Sequence, residues 1–293
     1  MTELSIILTA YKEPQTIGKA IEQILKNKIP KDFELIVTAP DKETLDVAKI
    51  FQKKNKNIKI FQDAGKGKPL ALTEVFKIAR GEILILTDGD VYISESSIEN
   101  LLKHFDDKKV GAVSGHPVAV DSKKTMMGFW ANVLIDLAHK LRQKRFKEKK
   151  FLLCSGYLFA MRNNLVKEIP SSVLDDSYIS QIIWKKNFKI EYEKNSLVFI
   201  KNPETFKDWI KQKKRNTFGE FQIKKNKSTS MRGFKEEAFG FFKIFSYPKN
   251  LKELFWIFLL IFARIYIWIN AIYNAKIKKS SMQKVWVRIE STK

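Results

Sequence analysis

Hydrophobic residues in the first 115 positions fall alternately into short β-rich runs and longer stretches with helical spacing. The β-rich runs cover residues 5–9, 35–38, 58–61, 83–87 and 110–114. Between the first two runs, a helix is predicted to begin at Pro14 and to bury one apolar face through Ile17, Ile21 and Ile24. This alternation predicts an α/β fold in which βα units build a mostly parallel sheet.

The pattern changes after residue 115. A long helix is predicted over residues 125–149, and it turns from apolar to strongly basic along its length. A strand-like run follows at 151–161, and an amphipathic basic helix is predicted over 206–218. The phenylalanine-rich segment 234–247 is a candidate for interfacial membrane contact. Each of these apolar faces also suits an ordinary protein core.

An apolar segment over residues 254–273 approaches the ~20 residues needed to cross a bilayer. Trp256, Tyr266, Trp268 and Tyr273 suit the interfacial belts of a membrane helix. Arg264 near the centre is costly in lipid, so three arrangements remain open: the helix lies in the interface, re-enters, or buries Arg264 against a partner. A buried core helix is less favoured, because large aromatic residues cover every face.

Size and charge add a domain plan and a class of partner. The chain has 293 residues and a net charge of +22. We predict one large domain over 1–230 and an amphipathic interfacial segment over 231–250. A membrane-embedded or spanning helix is predicted over 251–275, and a basic tail over 276–293. Because basic clusters flank the apolar segment, a membrane with anionic lipid is the favoured partner. No specific nucleic-acid motif is present. Cys154 is the only cysteine, which fits the reducing cytosolic side.

Two carboxylates close the fourth predicted strand, in the sequence Asp88-Gly89-Asp90. Ligands of open α/β sheets bind at this edge. Paired carboxylate oxygens suit Mg²⁺ or Mn²⁺ shared with a diphosphate. The alternative is an Asp-Gly turn that only ends the strand.

The order of motifs along the chain resembles the family 2 glycosyltransferases, and most closely their membrane-bound branch of cellulose, chitin and hyaluronan synthases. The resemblance covers roughly residues 4–218 and is more specific than any one motif. It is carried by the first strand with Tyr11-Lys12-Glu13, the second strand with Asp41, Gly65-Lys66-Gly67-Lys68, Asp88-Gly89-Asp90, Asp175-Asp176 and Gln212-Lys213-Lys214-Arg215.

This resemblance implies a GT-A fold, a Rossmann-like sheet flanked by helices, that binds a nucleotide-diphosphate sugar and transfers the sugar with inversion. Tyr11 and Glu13 would line the base and ribose, Asp41 would meet the nucleotide, and Lys68 and Asp88 would lie near the diphosphate. Asp41 equally suits a helix N-cap, and the lysine loop equally suits a solvated turn.

The same resemblance assigns the metal to Asp88 and Asp90 and the catalytic base to Asp176. Asp175, which stands where glutamate is more frequent, would lie on the acceptor or phosphate side, and both acids also suit the N-terminus of a helix.

Gln212 and Arg215 resemble the family's Gln-x-x-Arg-Trp motif and would face the acceptor or a phosphate. Asn216 replaces the tryptophan, which puts polymer synthesis in doubt. The alternative for this pair is a solvated basic helix.

The expected function is therefore a membrane-associated glycosyltransferase with a cytosolic catalytic domain and a lipid-linked or membrane-proximal glycan acceptor. One alternative is a processive polysaccharide synthase subunit that needs oligomers or a partner, because a single helix cannot wall a channel. Two alternatives come from other classes: a phosphatase with Asp88 as nucleophile, and a non-catalytic basic membrane-binding module.

Overall fold

The architecture is a single mixed sheet with helices on both faces. The structure is a computed structural model that describes residues 3–222, 231 and 243–274. The strands are β1 (Leu4–Thr9), β2 (Phe33–Ala39), β3 (Ile58–Gln62), β4 (Ile83–Asp88), β5 (Tyr92–Ile93), β6 (Val110–Ala119), β7 (Leu158–Arg162) and β8 (Lys189–Ile200). They lie in the order β3-β2-β1-β4-β7-β6-β8-β5.

The first half of the sheet, β3-β2-β1-β4, is entirely parallel. Its central strand β1 is buried at every position, as expected for a parallel strand covered by helices on both faces. In this register Thr9 of β1 lies beside Asp88 of β4. The strand ends that carry the predicted chemistry therefore meet at one edge.

The second half of the sheet is mixed. Strand β7 is antiparallel to both β4 and β6, β8 is parallel to β6, and the short β5 pairs with β8 at the outer edge. The predicted strands in the first 115 residues are all present, and the predicted α/β class with a mostly parallel sheet is confirmed.

Helices fill the connections between strands. They are α1 (Ile17–Leu25), α2 (Lys42–Lys54), α3 (Lys68–Ile78), α4 (Ser97–Leu102), α5 (Met126–Lys147), α6 (Asp175–Lys185), α7 (Phe206–Gln222) and α8 (Leu251–Ile272). The prediction that α1 begins at Pro14 is wrong by one turn. Thr16 N and Ile17 N both donate to the Glu13 carbonyl, and this turn precedes the regular helix.

The predicted strand over 151–161 is also wrong in its first half, because only Leu158–Arg162 pairs in the sheet. The preceding segment is buried but irregular, and its backbone amides donate to side chains instead of a strand. Cys154 N donates to Ser180 Oγ at 3.0 Å, and Ser155 N donates to Ser114 Oγ at 3.0 Å. Apolar composition alone does not distinguish this arrangement from a strand.

A separate apolar cluster joins α5, α7 and α8. Trp130, Trp209, Ile257, Leu260 and Ile267 are its most buried members. The Trp130 indole also donates to the Trp256 carbonyl at 2.8 Å. Helix α8 is therefore docked along one face on α5 and α7.

The opposite face of α8 is apolar and exposed to solvent. Its exposed residues are Leu251, Phe255, Phe258, Phe262, Ile265, Tyr266, Ile269 and Ile272. Within the described ranges, α8 is the one helix long and apolar enough to cross a membrane. Most of the predicted interfacial segment 231–250, and all of the tail 276–293, lie outside the described residues.

Candidate active site

A cleft of about 1260 Å³ runs along the carboxyl edge of β1, β2 and β4. On its sheet side, the cleft is lined by the loops that follow these strands and by the first turn of α6. On its helical side, it is lined by residues of α5, α7 and α8. This is the edge at which open α/β sheets bind their ligands.

An ion-pair cluster occupies the sheet side of the cleft. Lys68 Nζ lies 2.6 Å from Asp88 Oδ1 and 3.4 Å from Asp175 Oδ2. Thr9 Oγ1 donates to the same Asp88 oxygen at 2.9 Å. Burial acts to lower the pKa of Lys68, but the charges of Asp175, Asp88 and Asp176 outweigh burial and raise the pKa above its ordinary value. The lysine is thus a permanent cation among three carboxylates.

The sequence explains why Lys68 reaches this position. Gly65 and Gly67 have φ values of 68° and 102°, which belong to the left-handed region that favours glycine. The chain turns tightly through them and enters α3 at Lys68, with Pro69 in the first helical turn. The predicted alternative of a solvated loop is wrong for Lys68, whose ammonium is held inside the cleft.

Asp175 and Asp176 occupy the first turn of α6, as the helix-terminus interpretation expects. They also line the cleft. Ser177 N donates to Asp176 Oδ1 at 2.7 Å. A Cβ added to Gly156 would lie 3.5 Å from Asp176 Oδ2, so this glycine leaves the approach to the carboxylate open. The helical and the chemical interpretations of these acids are compatible.

The loop after β1 places Tyr11 and Glu13 at the cleft. Tyr11 is 37% exposed, whereas Glu13 is 7% exposed. A Cβ added to Gly89 would come within 2.7 Å of Glu13 Oε2, so Glu13 packs directly against the Asp88-Gly89-Asp90 turn. A glycine between the two aspartates is required by this close approach.

Asp41 lies outside the cleft lining and caps α2, the alternative that the sequence left open. Its carboxylate accepts from Thr44 N at 3.0 Å and from Lys12 N at 2.7 Å. Burial alone would raise the pKa of Asp41. The hydrogen bonds from Thr44 and Lys12 together have the larger effect, and they hold this pKa below its ordinary value. Asp41 therefore fastens the loop that carries Tyr11 and Glu13.

Asp63 is a cleft residue that the sequence analysis missed. It follows β3 at the same sheet edge, accepts from Thr38 Oγ1 at 3.1 Å and accepts from Gly65 N at 2.8 Å. Its position directly after a strand, like that of Asp88, is the feature from which a cleft location could be predicted. Unlike Asp88, it has no second acid two positions away in the sequence.

Gln212 and Arg215 both line the cleft from α7. Gln212 is 7% exposed and its neighbour Trp209 is 1% exposed, so the alternative of a solvated basic helix is wrong for this face. Arg264 of α8 also lines the cleft and is 8% exposed. Arg264 is therefore buried within this chain, and the arrangement of α8 relative to a membrane stays a prediction.

The donor set at the sheet edge fits a cation shared with a ligand. Across residues 3–222, 231 and 243–274, no three His, Cys, Asp or Glu side chains form a complete metal site. Asp88 and Asp90 supply carboxylate oxygens on one turn that faces the cleft. Mg²⁺ and similar hard cations commonly take one or two carboxylates and complete their shell with water and substrate phosphates.

The family model described as "Glycosyltransferase like family 2" matches residues 2–219. The chain belongs to this family. The resemblance predicted from the ordered motifs is thereby confirmed, and family membership favours a transferase over the phosphatase and the non-catalytic module.

Two curated relatives place this family 2 chain among known proteins. It is 24% identical over 228 residues to the probable glycosyltransferase YdaM of Bacillus subtilis, covering 73% of this chain and 54% of that protein. It is 22% identical over 173 residues to hyaluronan synthase of Streptococcus pyogenes, covering 56% of this chain and 41% of the synthase. The chain thus spans about half the length of the curated relatives it matches.

Among solved structures, the family 2 chain is similar to the mannosyltransferase PcManGT from Pyrobaculum calidifontis in complex with GDP-Man and Mn²⁺. The TM-score is 0.68 at 17% identity, with 95% of this chain and 88% of that chain covered. This likeness shows the fold, and the predicted GT-A architecture is confirmed.

Proposed function

We propose that the protein transfers a sugar from a nucleotide-diphosphate donor to a lipid-linked or membrane-proximal glycan, with inversion at the anomeric carbon. The observation that carries this proposal is the meeting of Asp88, Asp90, Asp175 and Asp176 with Lys68 in one cleft. The family 2 match and the nucleotide-sugar complex of the similar mannosyltransferase support it.

The donor would lie along the sheet edge, with Tyr11 and Glu13 at the base and ribose and Lys68 at the diphosphate. Asp88 and Asp90 would hold Mg²⁺ or Mn²⁺, which stabilises the negative charge of the departing nucleoside diphosphate. Asp41 contributes indirectly, because its contact with Lys12 N fixes the loop that presents Tyr11 and Glu13.

Asp176 would act as the general base. The acceptor hydroxyl oxygen forms a bond to the anomeric carbon as the bond from that carbon to the diphosphate breaks, and the hydroxyl proton passes to Asp176. Attack from the face opposite the leaving group gives inversion. Asp175 would help to orient Lys68, and Gln212 and Arg215 would bound the acceptor or phosphate side.

Helix α8 would hold the catalytic domain at an anionic membrane on the cytosolic side. Its outer face exposes Phe255, Phe258 and Phe262 at 60%, 45% and 67%. An exposed apolar stripe of this kind marks a membrane or protein contact, and the lysines near its start suit anionic lipid.

A donor panel with purified full-length protein and Mn²⁺ tests this function. Nucleoside-diphosphate release and sugar transfer are measured for the parent and for Asp176→Asn. Transfer to acceptor is expected to fall by about 10²–10⁴-fold in the variant, with donor binding retained. The matched control is Asp46→Asn, which replaces an exposed acid on α2 that forms an ion pair with Lys49. Equal transfer rates in the parent and Asp176→Asn would rule out Asp176 as the base.

A further inference from the structure

The cleft continues past the carboxylates of the proposed metal site to the ends of β2 and β3. Thr38, Pro40, Asp63, Gly65 and Lys66 line this part. Among the described lining residues that lie at the ends of these two strands, Asp63 is the one acid. It takes no part in the metal binding or the proton transfer proposed above, so its contact with a ligand is a separate question.

The sheet fixes how far Asp63 lies from the proposed position of the diphosphate. Asp88, Thr9 and Thr38 are register partners on the adjacent strands β4, β1 and β2. Because neighbouring strands are about 4.8 Å apart, Thr38 lies about 10 Å from Asp88 along the edge of the sheet. Asp63 Oδ2 accepts from Thr38 Oγ1 at 3.1 Å, which keeps the carboxylate at this end. A nucleoside whose phosphates lie at Asp88 can therefore extend its base to Asp63.

The carboxylate of Asp63 is held in place before any ligand binds. Its Oδ1 accepts from Gly65 N at 2.8 Å, and its Oδ2 accepts from Thr38 Oγ1. The side chain is half-buried at the cleft. An ionised carboxylate offers about four acceptor positions, so each oxygen can accept a further hydrogen bond from a ligand. Such a fixed pair of acceptors binds without first being ordered.

Asp41, the other acid that follows a strand in this region, does not supply the same contact. It lies outside the described lining of the cleft. Its two oxygens accept from Thr44 N, Thr44 Oγ1 and Lys12 N, which are groups of the protein itself. Asp63 is therefore the carboxylate that can meet a base at the ends of β2 and β3.

Guanine is the base whose polar edge best complements a carboxylate. Its N1–H and its 2-amino group are adjacent donors, and they can bond to two carboxylate oxygens in parallel. Adenine and cytosine carry a ring nitrogen that accepts beside their amino group, and this nitrogen would face a carboxylate oxygen. Uracil offers only N3–H, between two carbonyl oxygens, one of which would oppose the second carboxylate oxygen. A carboxylate with two available oxygens thus favours guanine.

We infer that Asp63 selects a guanine nucleotide as the sugar donor, with its two oxygens accepting from N1–H and from the 2-amino group of the base. This inference rests on the proposed function and deepens it by naming the donor class, a guanosine diphosphate sugar. Asp63 is then a specificity-determining residue, and Asp88 and Asp90 keep their proposed role at the metal.

Titration calorimetry of the full chain with Mn²⁺ and different nucleoside diphosphates tests the inference. The probes are GDP, inosine diphosphate, UDP and ADP. GDP is expected to bind at least about tenfold more tightly than UDP or ADP. Inosine diphosphate differs from GDP only in lacking the 2-amino group. It is expected to bind about tenfold more weakly than GDP, because it loses one hydrogen bond to a charged acceptor.

Asp63→Asn changes one of the two acceptors into a donor. The asparagine amide then opposes the 2-amino group of guanine, whereas xanthosine diphosphate carries a carbonyl at that position and can accept from the amide. The variant is expected to bind GDP about tenfold more weakly than the parent does, and xanthosine diphosphate about tenfold more tightly. The matched control is Asp46→Asn, the exposed acid on α2, which should keep the parental order of affinities.

Three results would overturn the inference. One is a parent protein that binds UDP as tightly as GDP. Another is equal affinity of the parent for GDP and inosine diphosphate, a comparison that needs no variant. The third is an Asp63→Asn variant that weakens GDP, UDP and xanthosine diphosphate by the same factor, which would limit Asp63 to holding the loop at Gly65.

Failure of this inference is distinguishable from failure of the proposed function. A parent protein that releases UDP, and not GDP, from sugar nucleotides would refute the selection of guanine and leave the glycosyltransferase proposal standing. A parent protein that binds GDP selectively but releases no nucleoside diphosphate from any sugar nucleotide would support guanine recognition by the cleft and refute the proposed transfer.

Discussion

The sheet side and the helical side of the cleft are built in different ways. On the sheet side, Thr9 and Asp88 are neighbours in register at the ends of adjacent parallel strands, and the first turn of α6 adds Asp175 and Asp176. The helical side is formed by three helices that are joined by the apolar cluster around Trp130 and Trp209. Strand ends are fixed by the sheet, whereas the helical side depends on the packing of side chains against α8.

The charges on the two sides are also arranged differently. On the sheet side, Lys68 forms ion pairs with Asp88 and Asp175. On the helical side, Lys140 forms an ion pair with Asp136 of the same helix. The comparison teaches that an internal cation already occupies carboxylates that a bound metal ion would need.

The largest expected effect comes from removing a carboxylate of the sheet side. Asp88→Asn is expected to lower donor turnover by about 10²–10³-fold, because it removes the proposed cation ligand and an ion-pair partner of Lys68 together. Steady-state release of nucleoside diphosphate measures this effect, and chelation by EDTA should reproduce it in the parent. A variant that keeps parental turnover and its response to EDTA would show that Asp88 does not hold the metal.

The exposed face of α8 gives the next largest expected effect. Replacing Phe255 and Phe262 together by serine is expected to weaken binding to anionic vesicles by about 10²-fold, because each phenylalanine loses about 1.5 kcal/mol of apolar burial in the membrane. Vesicle co-sedimentation measures this loss. Ile50→Ser, which replaces an exposed apolar residue on α2, is the control. Donor turnover should remain, and unchanged vesicle binding in the double variant, or an equal loss in the control, would contradict the assignment.

Competition between Lys68 and a metal ion for the same carboxylates gives a further test. In Lys68→Met, Mn²⁺ without nucleotide is expected to bind about tenfold more tightly, because the ammonium no longer occupies the carboxylates. Nucleoside diphosphate without metal should bind about tenfold more weakly. Both affinities are accessible by titration calorimetry. Unchanged Mn²⁺ affinity would mean that Lys68 and the metal do not compete.

The smallest expected effect lies away from the cleft, at His104. Its ring nitrogens contact Glu191 at 2.5 Å and Glu193 at 2.9 Å. Burial lowers the pKa of His104, but the two carboxylates outweigh it and raise the pKa above 6.5. The protonated ring therefore stabilises the fold fully below about pH 6.5, and this contribution is lost as pH rises through the folded pKa.

Thermal unfolding of the parent and His104→Gln at two pH values checks this. A melting temperature about 2–4 °C lower in the variant is expected at pH 6 and should largely disappear at pH 9. A difference of the same size at both pH values would attribute the loss to packing.

The sequence was informative where chemistry and strand periodicity coincide. Asp88 follows an unbroken apolar run, so both its strand and its place at the sheet edge were predictable. Asp176 was located through its motif. For Asp41, the sequence leaves two roles open, because a helix N-cap and a ligand contact require the same residue type.

Other features depend on tertiary contacts that leave no local pattern. The segment before β7 has strand-like composition, but side chains of Ser114 and Ser180 take its amides. Arg264 is costly for a membrane helix, and periodicity does not reveal that it is buried at the lining of a cleft. No second acid stands beside Asp63 in the sequence, and its position in the cleft follows only from where β3 ends.

The proposed donor site is tested most directly by titrating nucleoside diphosphate with Mn²⁺ into the parent, Asp88→Asn and the control Asp46→Asn. The account predicts that Asp88→Asn loses affinity for the metal–nucleotide complex by about tenfold or more, while Asp46→Asn keeps the parental affinity. Parental affinity in Asp88→Asn would contradict the account, because the carboxylates of the sheet side would then not hold the metal–nucleotide complex.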